Sequence, residues 1–135
     1  MDAGYVPTER ERREVLDWFD HYDALAHAGD LEAMADEALF PINEVTDDTA
    51  GHAVVGSCDR ERYLAQMRAV IVPGTATESR RHPVFLSPAL VFVVSDATIT
   101  VDGHATTMRY GDLLVRTAEG WRFQTMVAGG WHEAM

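Results

Sequence analysis

The sequence predicts an α+β domain in which three N-terminal helices pack on a strongly curved antiparallel sheet. In the first half of the chain, apolar residues recur at three- and four-residue steps, which indicates amphipathic helices. The second half consists of long segments rich in valine, threonine and isoleucine, separated by turn residues, which indicates strands. The chain of 135 residues is 47% hydrophobic, so residues 1–135 are expected to form one globular domain.

The first helix is expected to follow Pro7. Thr8 and Glu11 have the spacing of a capping box, in which each side chain bonds the backbone N–H of the other residue. Gly29 ends this helix, and Asp30 caps a second, short one. The apolar face of the first helix is predicted to comprise Val15, Trp18, Phe19, Tyr22, Leu25 and Ala26.

The middle of the chain is predicted to contain one short strand and the third helix. Residues 40–46 are typical of an extended segment, whereas residues 47–58 hold no hydrophobic period and are expected to form a loop. Asp59 caps the third helix, and Pro73-Gly74 ends it.

Antiparallel strands are predicted for the rest of the chain. They span residues 82–86, 89–101, 104–117 and 121–128. The dipeptide Asp102-Gly103, between the second and third of these strands, is a strong signal for a tight hairpin. A single layer of helices on a strongly bent sheet leaves a concave interior, so a small-molecule pocket is expected there.

Composition excludes several classes of function. The net charge of -11 argues against a nucleic acid or an anionic membrane surface as partner. All 11 basic residues are arginine, so lysine Schiff-base chemistry and a P-loop are excluded. The single Cys58 excludes an intrachain disulfide and a multi-cysteine metal site, and no histidine spacing indicates a metal. We therefore expect no cofactor. No segment has the pattern of a signal peptide or a membrane span, so a cytoplasmic location is expected.

Two segments carry a resemblance to a known superfamily. Residues 21–33, which read His-Tyr-Asp-Ala-Leu-Ala-His-Ala-Gly-Asp-Leu-Glu-Ala, resemble the helix junction of the NTF2-like, or SnoaL-like, superfamily. Residues 113–123 resemble its closing hairpin, and the resemblance covers about residues 8–130. It implies a cystatin-like cone fold and pairing through the sheets as a homodimer. It implies no single activity, because this fold hosts isomerases, cyclases, dehydratases and binding subunits.

Asp112 is the first candidate functional residue. On a strand it shares one face with Met108, Tyr110 and Leu114. If that face lines the interior, burial raises the pKa of the carboxyl, which then stays protonated and donates a hydrogen bond. The alternative is an exposed face on which Asp112 pairs with an arginine.

Asp48 and Tyr22 complete a set that resembles ketosteroid isomerase. Residues 39–51 resemble the segment in which that enzyme's proton-shuttling aspartate ends the first strand, and Asp48 takes this position, while Asp47 would point the opposite way. Tyr22 and Asp112 precede glycines by the spacings of its two oxyanion donors. The resemblance implies that Asp48 removes a proton beside a carbonyl and that Tyr22 and Asp112 hold the enolate oxygen. The alternative for Asp48 is a simple turn.

The same fold hosts two other site chemistries. Scytalone dehydratase, which uses tyrosines and a histidine-aspartate pair, would draw on Tyr22, Asp23, His82 and His104, although exposed histidines are equally expected there. Epoxide hydrolases of this fold need an Asp-Arg-Asp arrangement. Arg109 and Asp112 do not supply it, because residues three apart on a strand face opposite ways.

The sequence thus predicts a pocket for a small apolar or planar ketone-like ligand. The leading hypothesis is a cofactor-independent isomerase or polyketide-type cyclase, and the alternatives are a non-catalytic ligand-binding domain and a dehydratase. The residues predicted to bind the ligand are Trp18, Phe19, Phe40, Tyr63, Met67, Phe92, Tyr110 and Met126.

Overall fold

Three helices and six strands follow one another in residues 4–131, the part of the chain that the computed structural model describes. The helices are α1 (Glu9–Ala28), α2 (Leu31–Asp36) and α3 (Arg60–Val70). The strands are β1 (Ala38–Asp47), β2 (Ala53–Cys58), β3 (Ala76–Ser87), β4 (Leu90–Val101), β5 (His104–Thr117) and β6 (Gly120–Ala128).

The start of each helix and the end of α1 lie where the sequence predicted them, whereas α3 ends at Val70, before the predicted stop at Pro73-Gly74. The Thr8 side chain accepts a hydrogen bond from the Glu11 backbone N–H, and the Glu11 carboxylate accepts one from the Thr8 N–H. Gly29 ends α1 in the left-handed conformation, with φ of 72°. Asp30 and Asp59 each accept a backbone N–H bond at the start of α2 and α3. Each terminus therefore satisfies backbone groups that a helix cannot pair internally.

One six-stranded sheet, in the order β2-β1-β6-β5-β4-β3, carries the helices. All neighbouring strands are antiparallel except β1 and β6, which are parallel. The parallel pair follows from the connectivity. The chain crosses through α3 to the far edge at β3 and returns by three hairpin connections, so β6 reaches β1 running in the same direction. The predicted α+β class is confirmed, with this one departure from an all-antiparallel sheet.

The predicted loop at residues 47–58 is wrong in its second half. Ala53–Cys58 forms β2 and pairs with β1 from Asp47↔Ala53 to Ile42↔Cys58. The strand is short, and Gly56 and Ser57 interrupt its apolar pattern, so the alternation was too weak to identify it. Strand β3 begins six residues before its predicted start, at Ala76.

The hairpin between β4 and β5 has the predicted turn. Asp102 and Gly103 both have positive φ, 52° and 80°, as a type I′ turn requires. No helix within residues 4–131 combines the length and the hydropathy needed to cross a bilayer.

The helices cover one face of the sheet, which we call the inner face; the opposite face is the outer face. Val91, Val93 and Leu114 point to the inner face and are fully buried. A register shift between Leu113 and Leu114 interrupts the β5–β6 ladder, and such bulges bend a sheet. The bend and the helical layer together leave room above the inner face.

The end of α1 generates a prediction about stability. A Cβ at Gly29 would stand 2.6 Å from Cγ of Pro73, whereas a Cβ at Gly51, where φ is also positive (81°), would meet nothing within 4 Å. Gly51→Ala should cost about 1 kcal/mol, the penalty of a left-handed alanine. Gly29→Ala should cost about 2–3 kcal/mol, because the Pro73 ring must also move.

Urea unfolding of both variants measures this difference. An equal loss of unfolding free energy for the two variants would show that the contact with Pro73 relaxes without cost.

Candidate functional site

A cavity of about 500 Å³ lies between the inner face of the sheet and helices α1 and α3. Its volume is that of a small-molecule site. Trp18, Met67, Phe123 and Met126 form apolar walls. Polar side chains from α1, β3 and β5 also reach the cavity.

Asp112 lies on the inner face of β5, opposite Val93 and Met126 on the adjacent strands. It is 8% exposed, and no side chain in residues 4–131 forms a hydrogen bond with its carboxyl group. Burial raises the pKa of Asp112 to about 7, the charge of Arg81 opposes this shift, and the charge of Asp23 adds to it. Both protonation states are therefore accessible near neutral pH.

Tyr22 and Tyr63 join their hydroxyl groups in a hydrogen bond beside Asp112. Tyr63 is fully buried, and within the described chain its hydroxyl has Tyr22 as its hydrogen-bond partner. Either hydroxyl group can be the donor in this bond. In the arrangement in which Tyr63 donates to Tyr22, the Tyr22 proton is left to donate into the cavity. Burial, first among the causes, raises the pKa of both phenols, so both stay neutral.

Aromatic rings hold Tyr22 in place. The Trp18 ring stacks on it with centroids 5.2 Å apart and planes 8° apart, and the Phe123 ring meets it edge-on at 5.5 Å. The hydroxyl therefore has little freedom to turn away from the cavity.

Arg81 and Asp23 form an ion pair across the cavity that the sequence interpretation missed. Nη2 of Arg81 lies 2.8 Å and 2.6 Å from the two carboxylate oxygens of Asp23. Nη1 donates to Ser95 and to Tyr110, at 2.7 Å each. The Phe19 ring covers the guanidinium at 4.4 Å. Arg81 and Phe85 are four residues apart on β3, so their side chains lie on the same, inner face. This even spacing is the sequence signal that could have placed Arg81 at the cavity.

A second buried polar group, Glu44 on β1, supports the site from behind. It is fully buried, and its carboxylate accepts hydrogen bonds from Gln66 Nε2 at 3.1 Å and 3.3 Å and from Arg62 Nε at 3.4 Å. Gln66 and Arg62 lie on α3, which also carries Tyr63. The cluster therefore fixes the helix that presents Tyr63 to Tyr22. Burial raises the pKa of the neighbouring Cys58 thiol to about 12.

Asp48 does not reach the cavity, which corrects its predicted position at the site. Its carboxylate accepts hydrogen bonds from the backbone N–H groups of Ala50 and His52, both at 2.9 Å, in the turn between β1 and β2. Asp47 accepts a bond from the Gly130 N–H. The physical reason is that β1 ends at Asp47, so Asp48 satisfies the turn, as the alternative interpretation held.

Five of the eight residues predicted to bind a ligand line the cavity: Trp18, Phe19, Met67, Tyr110 and Met126. Three do not. Phe40 packs against Tyr63, with ring centroids 5.9 Å apart, and Tyr63 itself lies behind Tyr22. Phe92 points to the outer face because it alternates with Val91 and Val93. Its ring lies over Gly111, where a Cβ would stand 2.6 Å away.

The two strand histidines also lie away from the cavity. His82 is exposed on the outer face, with Nε2 3.2 Å from Oδ2 of Asp96. Arg109 pairs with the same carboxylate at 2.6 Å. His104 is exposed next to the β4–β5 turn. Of the residues considered for a dehydratase site, only Tyr22 and Asp23 line the cavity.

The environment of Asp112 generates a prediction about stability against pH. Its pKa in the folded protein, about 7, lies above the ordinary value of 3.8, so the folded state keeps a proton that the unfolded state releases. The stabilisation is complete below about pH 4 and is lost as the pH rises through about 7. Between these limits, wild-type stability should fall relative to Asp112→Asn by on the order of 4 kcal/mol, at about 1.4 kcal/mol per pH unit.

Urea unfolding of the wild type and Asp112→Asn at about pH 4, 6 and 8 measures this effect, since other titrating groups cancel in the difference. A difference between the two proteins that does not vary with pH would contradict the assignment.

Comparison with known proteins supports the architecture. No protein-family model matches the chain, and no curated protein matches it in sequence. Among solved structures, an NTF-2-like protein of unknown function from Shewanella oneidensis MR-1 matches with a TM-score of 0.70 at 12% identity, over 87% of this chain and 98% of that one.

Two further structures are similar. An NTF2-like protein with a cystatin-like fold from Novosphingobium aromaticivorans matches with a TM-score of 0.62 at 18% identity, over 89% of this chain and 81% of that one. A proposed scytalone dehydratase from the same species matches with a TM-score of 0.62 at 16% identity, over 87% of this chain and 81% of that one. These likenesses, together with the element order and the sheet topology, show that the chain has the NTF2-like, cystatin-like fold.

Proposed function

We propose that the protein is a cofactor-independent enzyme that moves a proton beside the carbonyl group of a small, planar, largely apolar ketone. The observation that carries this proposal is the buried Asp112 carboxyl, which lacks a hydrogen-bond partner in the described chain and lies beside a tyrosine hydroxyl in an apolar cavity. The carboxyl faces the cavity, so its hydrogen-bonding capacity is available to a ligand.

Asp112 is the acid–base group of this reaction. A general base works best when its pKa is close to the working pH, and the pKa of Asp112 is raised by burial to about 7. Asp23 also lines the cavity, but its carboxylate is held by Arg81. This assignment differs from the sequence-based hypothesis, in which Asp48 was the base and Asp112 a hydrogen-bond donor.

Tyr22 is the donor to the carbonyl oxygen. In the arrangement in which Tyr63 is the donor between the two hydroxyl groups, the Tyr22 proton is free for a ligand. A fixed donor aimed at an oxygen that gains charge stabilises the transition state more than the ground state. The aromatic contacts with Trp18 and Phe123 hold this donor still, so little reorganisation is needed during the reaction.

The proposed step balances without a cofactor. The C–H bond beside the carbonyl breaks, its proton passes to an Asp112 carboxylate oxygen, and its electron pair forms the carbon–carbon double bond of an enolate. The charge on the enolate oxygen is held by the Tyr22 hydroxyl. In a ketone with a β,γ double bond the enolate is a dienolate, and return of the proton from Asp112 to its γ carbon completes an isomerisation. Where the enolate carbon instead attacks a second carbonyl and closes a ring, the proton on Asp112 passes to the alkoxide that this attack forms.

Hydrogen–deuterium exchange of 2-tetralone, a flat ketone with acidic α-protons, tests the proposal. The wild type should accelerate exchange over buffer. Asp112→Asn should lose about 100-fold because the base is gone, and Tyr22→Phe should lose about 100-fold because the donor is gone. Asp48→Asn is the matched control, since asparagine still accepts the turn hydrogen bonds, and its rate should equal that of the wild type. NMR of the exchanging protons gives each rate.

The exchange rate should also depend on pH in a stated direction. Asp112 must be ionised to take the proton, so the rate should rise with pH through about 7, the raised pKa of this carboxyl, and then level off. A wild type that binds 2-tetralone without accelerating exchange would contradict the enzyme proposal.

That last result would favour the second candidate, a non-catalytic ligand-binding domain with the same cavity. The position of Asp48 in a turn favours this candidate, because the cavity then has one carboxyl fewer than the isomerase-like set. A dehydratase has weaker support, since His82 and His104 lie away from the cavity, although a proposed scytalone dehydratase is similar in fold.

We further propose that two copies pair through the outer faces of their sheets. Val84 and Leu86 on β3 are 55% and 61% exposed, and the Phe92 ring lies on the same face. Exposed apolar patches of this kind mark contact surfaces. Sedimentation velocity should give twice the mass of one chain, and Leu86→Glu should give the mass of a monomer. Val6→Glu, at an exposed position outside the strands, should leave the mass doubled. A monomeric wild type would contradict this proposal.

A further inference from the structure

The Arg81 guanidinium is a buried positive charge of the cavity, and both of its terminal nitrogens already have hydrogen-bond partners. Its side chain is 7% exposed. Nη2 faces both carboxylate oxygens of Asp23, and Nη1 faces Ser95 and Tyr110. A guanidinium fork of this kind is the usual partner of a planar anion. Here a side chain of the protein takes the place that a ligand carboxylate or sulfonate would otherwise occupy.

Asp23 lies between Arg81 and the solvent. Its side chain is 42% exposed, whereas the Arg81 side chain is almost fully buried. Asp23 and Arg81 both line the cavity. A ligand that enters therefore meets a neutralised ion pair. An anionic ligand meets, in addition, the negative charge of Asp23 with the matching cation shielded behind it.

We propose that Asp23 is a specificity-determining residue that makes the cavity select neutral ligands over anionic ligands of the same shape. This inference rests on the cavity being the ligand site of the proposed function, and it adds the charge class of the ligand. It concerns binding and not proton transfer.

The selection has a direct electrostatic cause. A neutral ligand fills the apolar volume and leaves the Arg81–Asp23 pair intact. An anion must either accept like-charge repulsion from Asp23 or displace that carboxylate from the buried Arg81 guanidinium, and both carry a cost in binding free energy. When Asp23 becomes asparagine, the amide oxygen can still accept from Arg81, but the guanidinium keeps an uncompensated charge that attracts an anion.

Two fluorescent probes with one skeleton test the inference. N-phenyl-1-naphthylamine is neutral, and 8-anilinonaphthalene-1-sulfonate adds a sulfonate to the same rings. Titrations at about pH 6, below the pKa of about 7 at Asp112, keep that carboxyl mainly protonated, so the comparison isolates Asp23. The wild type should bind the neutral probe about tenfold or more tightly than the anionic one. Asp23→Asn should tighten the anionic probe about tenfold and change the neutral probe less than about twofold.

Matched variants exclude a general charge effect. Asp20→Asn removes the same charge from the exposed side of α1 and should leave both affinities unchanged. Asp23→Glu keeps the charge and should keep the wild-type ratio. The double variant Asp23→Asn with Arg81→Gln should lose the gain in affinity for the anionic probe, because the uncompensated cation is gone. Displacement of the anionic probe by the neutral one confirms a shared site, and near-UV circular dichroism confirms that each variant is folded.

Each outcome decides the inference. Equal affinity of the wild type for both probes overturns it, and so does an Asp23→Asn variant whose probe ratio matches that of the wild type. Binding of neither probe by the wild type overturns it together with the use of this cavity as a ligand site. Loss of the expected proton exchange alongside the predicted probe ratios leaves it standing and overturns only the proposed chemistry.

Discussion

The Arg81–Asp23 ion pair is the interaction on which the arrangement of the cavity depends. A buried guanidinium is tolerated only with a well-placed partner, and the partner comes from α1, on the opposite wall. The pair therefore ties α1 to β3 at a fixed distance. Tyr22 is the residue next to Asp23, so the geometry that satisfies the ion pair also sets the height of the Tyr22 hydroxyl above the sheet.

Other polar groups also help to fix the position of Tyr22. Glu44 holds α3 through Gln66 and Arg62, and α3 carries Tyr63, which in turn orients Tyr22. Asp112 stands apart because it has no hydrogen-bond partner among the described residues. The internal hydrogen bonds of the cavity thus position the Tyr22 hydroxyl, whereas the Asp112 carboxyl remains available to a ligand.

Much of the fold and part of the site could be predicted from the sequence, because local chemistry determines them. Helix caps, the Asp102-Gly103 turn and the strand face shared by Tyr110 and Asp112 depend on neighbouring residues alone. The position of Asp48 could not be predicted, because one residue decides whether it ends a strand or starts a turn. Phe92 lies in a run of consecutive apolar residues on β4, where no alternation of apolar and polar residues shows which side chains face the cavity. Arg81 was missed because its partner lies 58 residues earlier.

Cys58 gives the molecule an internal reporter of local opening. Its thiol is fully buried, and the pKa raised to about 12 leaves almost none of it as the reactive thiolate. A thiol reagent therefore reacts only when β2 and α3 separate, and the sequence offers it no other cysteine. The rate of labelling measures how often β2 and α3 separate by local unfolding. Because α3 carries Tyr63, this rate also reports how often Tyr22 loses the residue that orients its hydroxyl group.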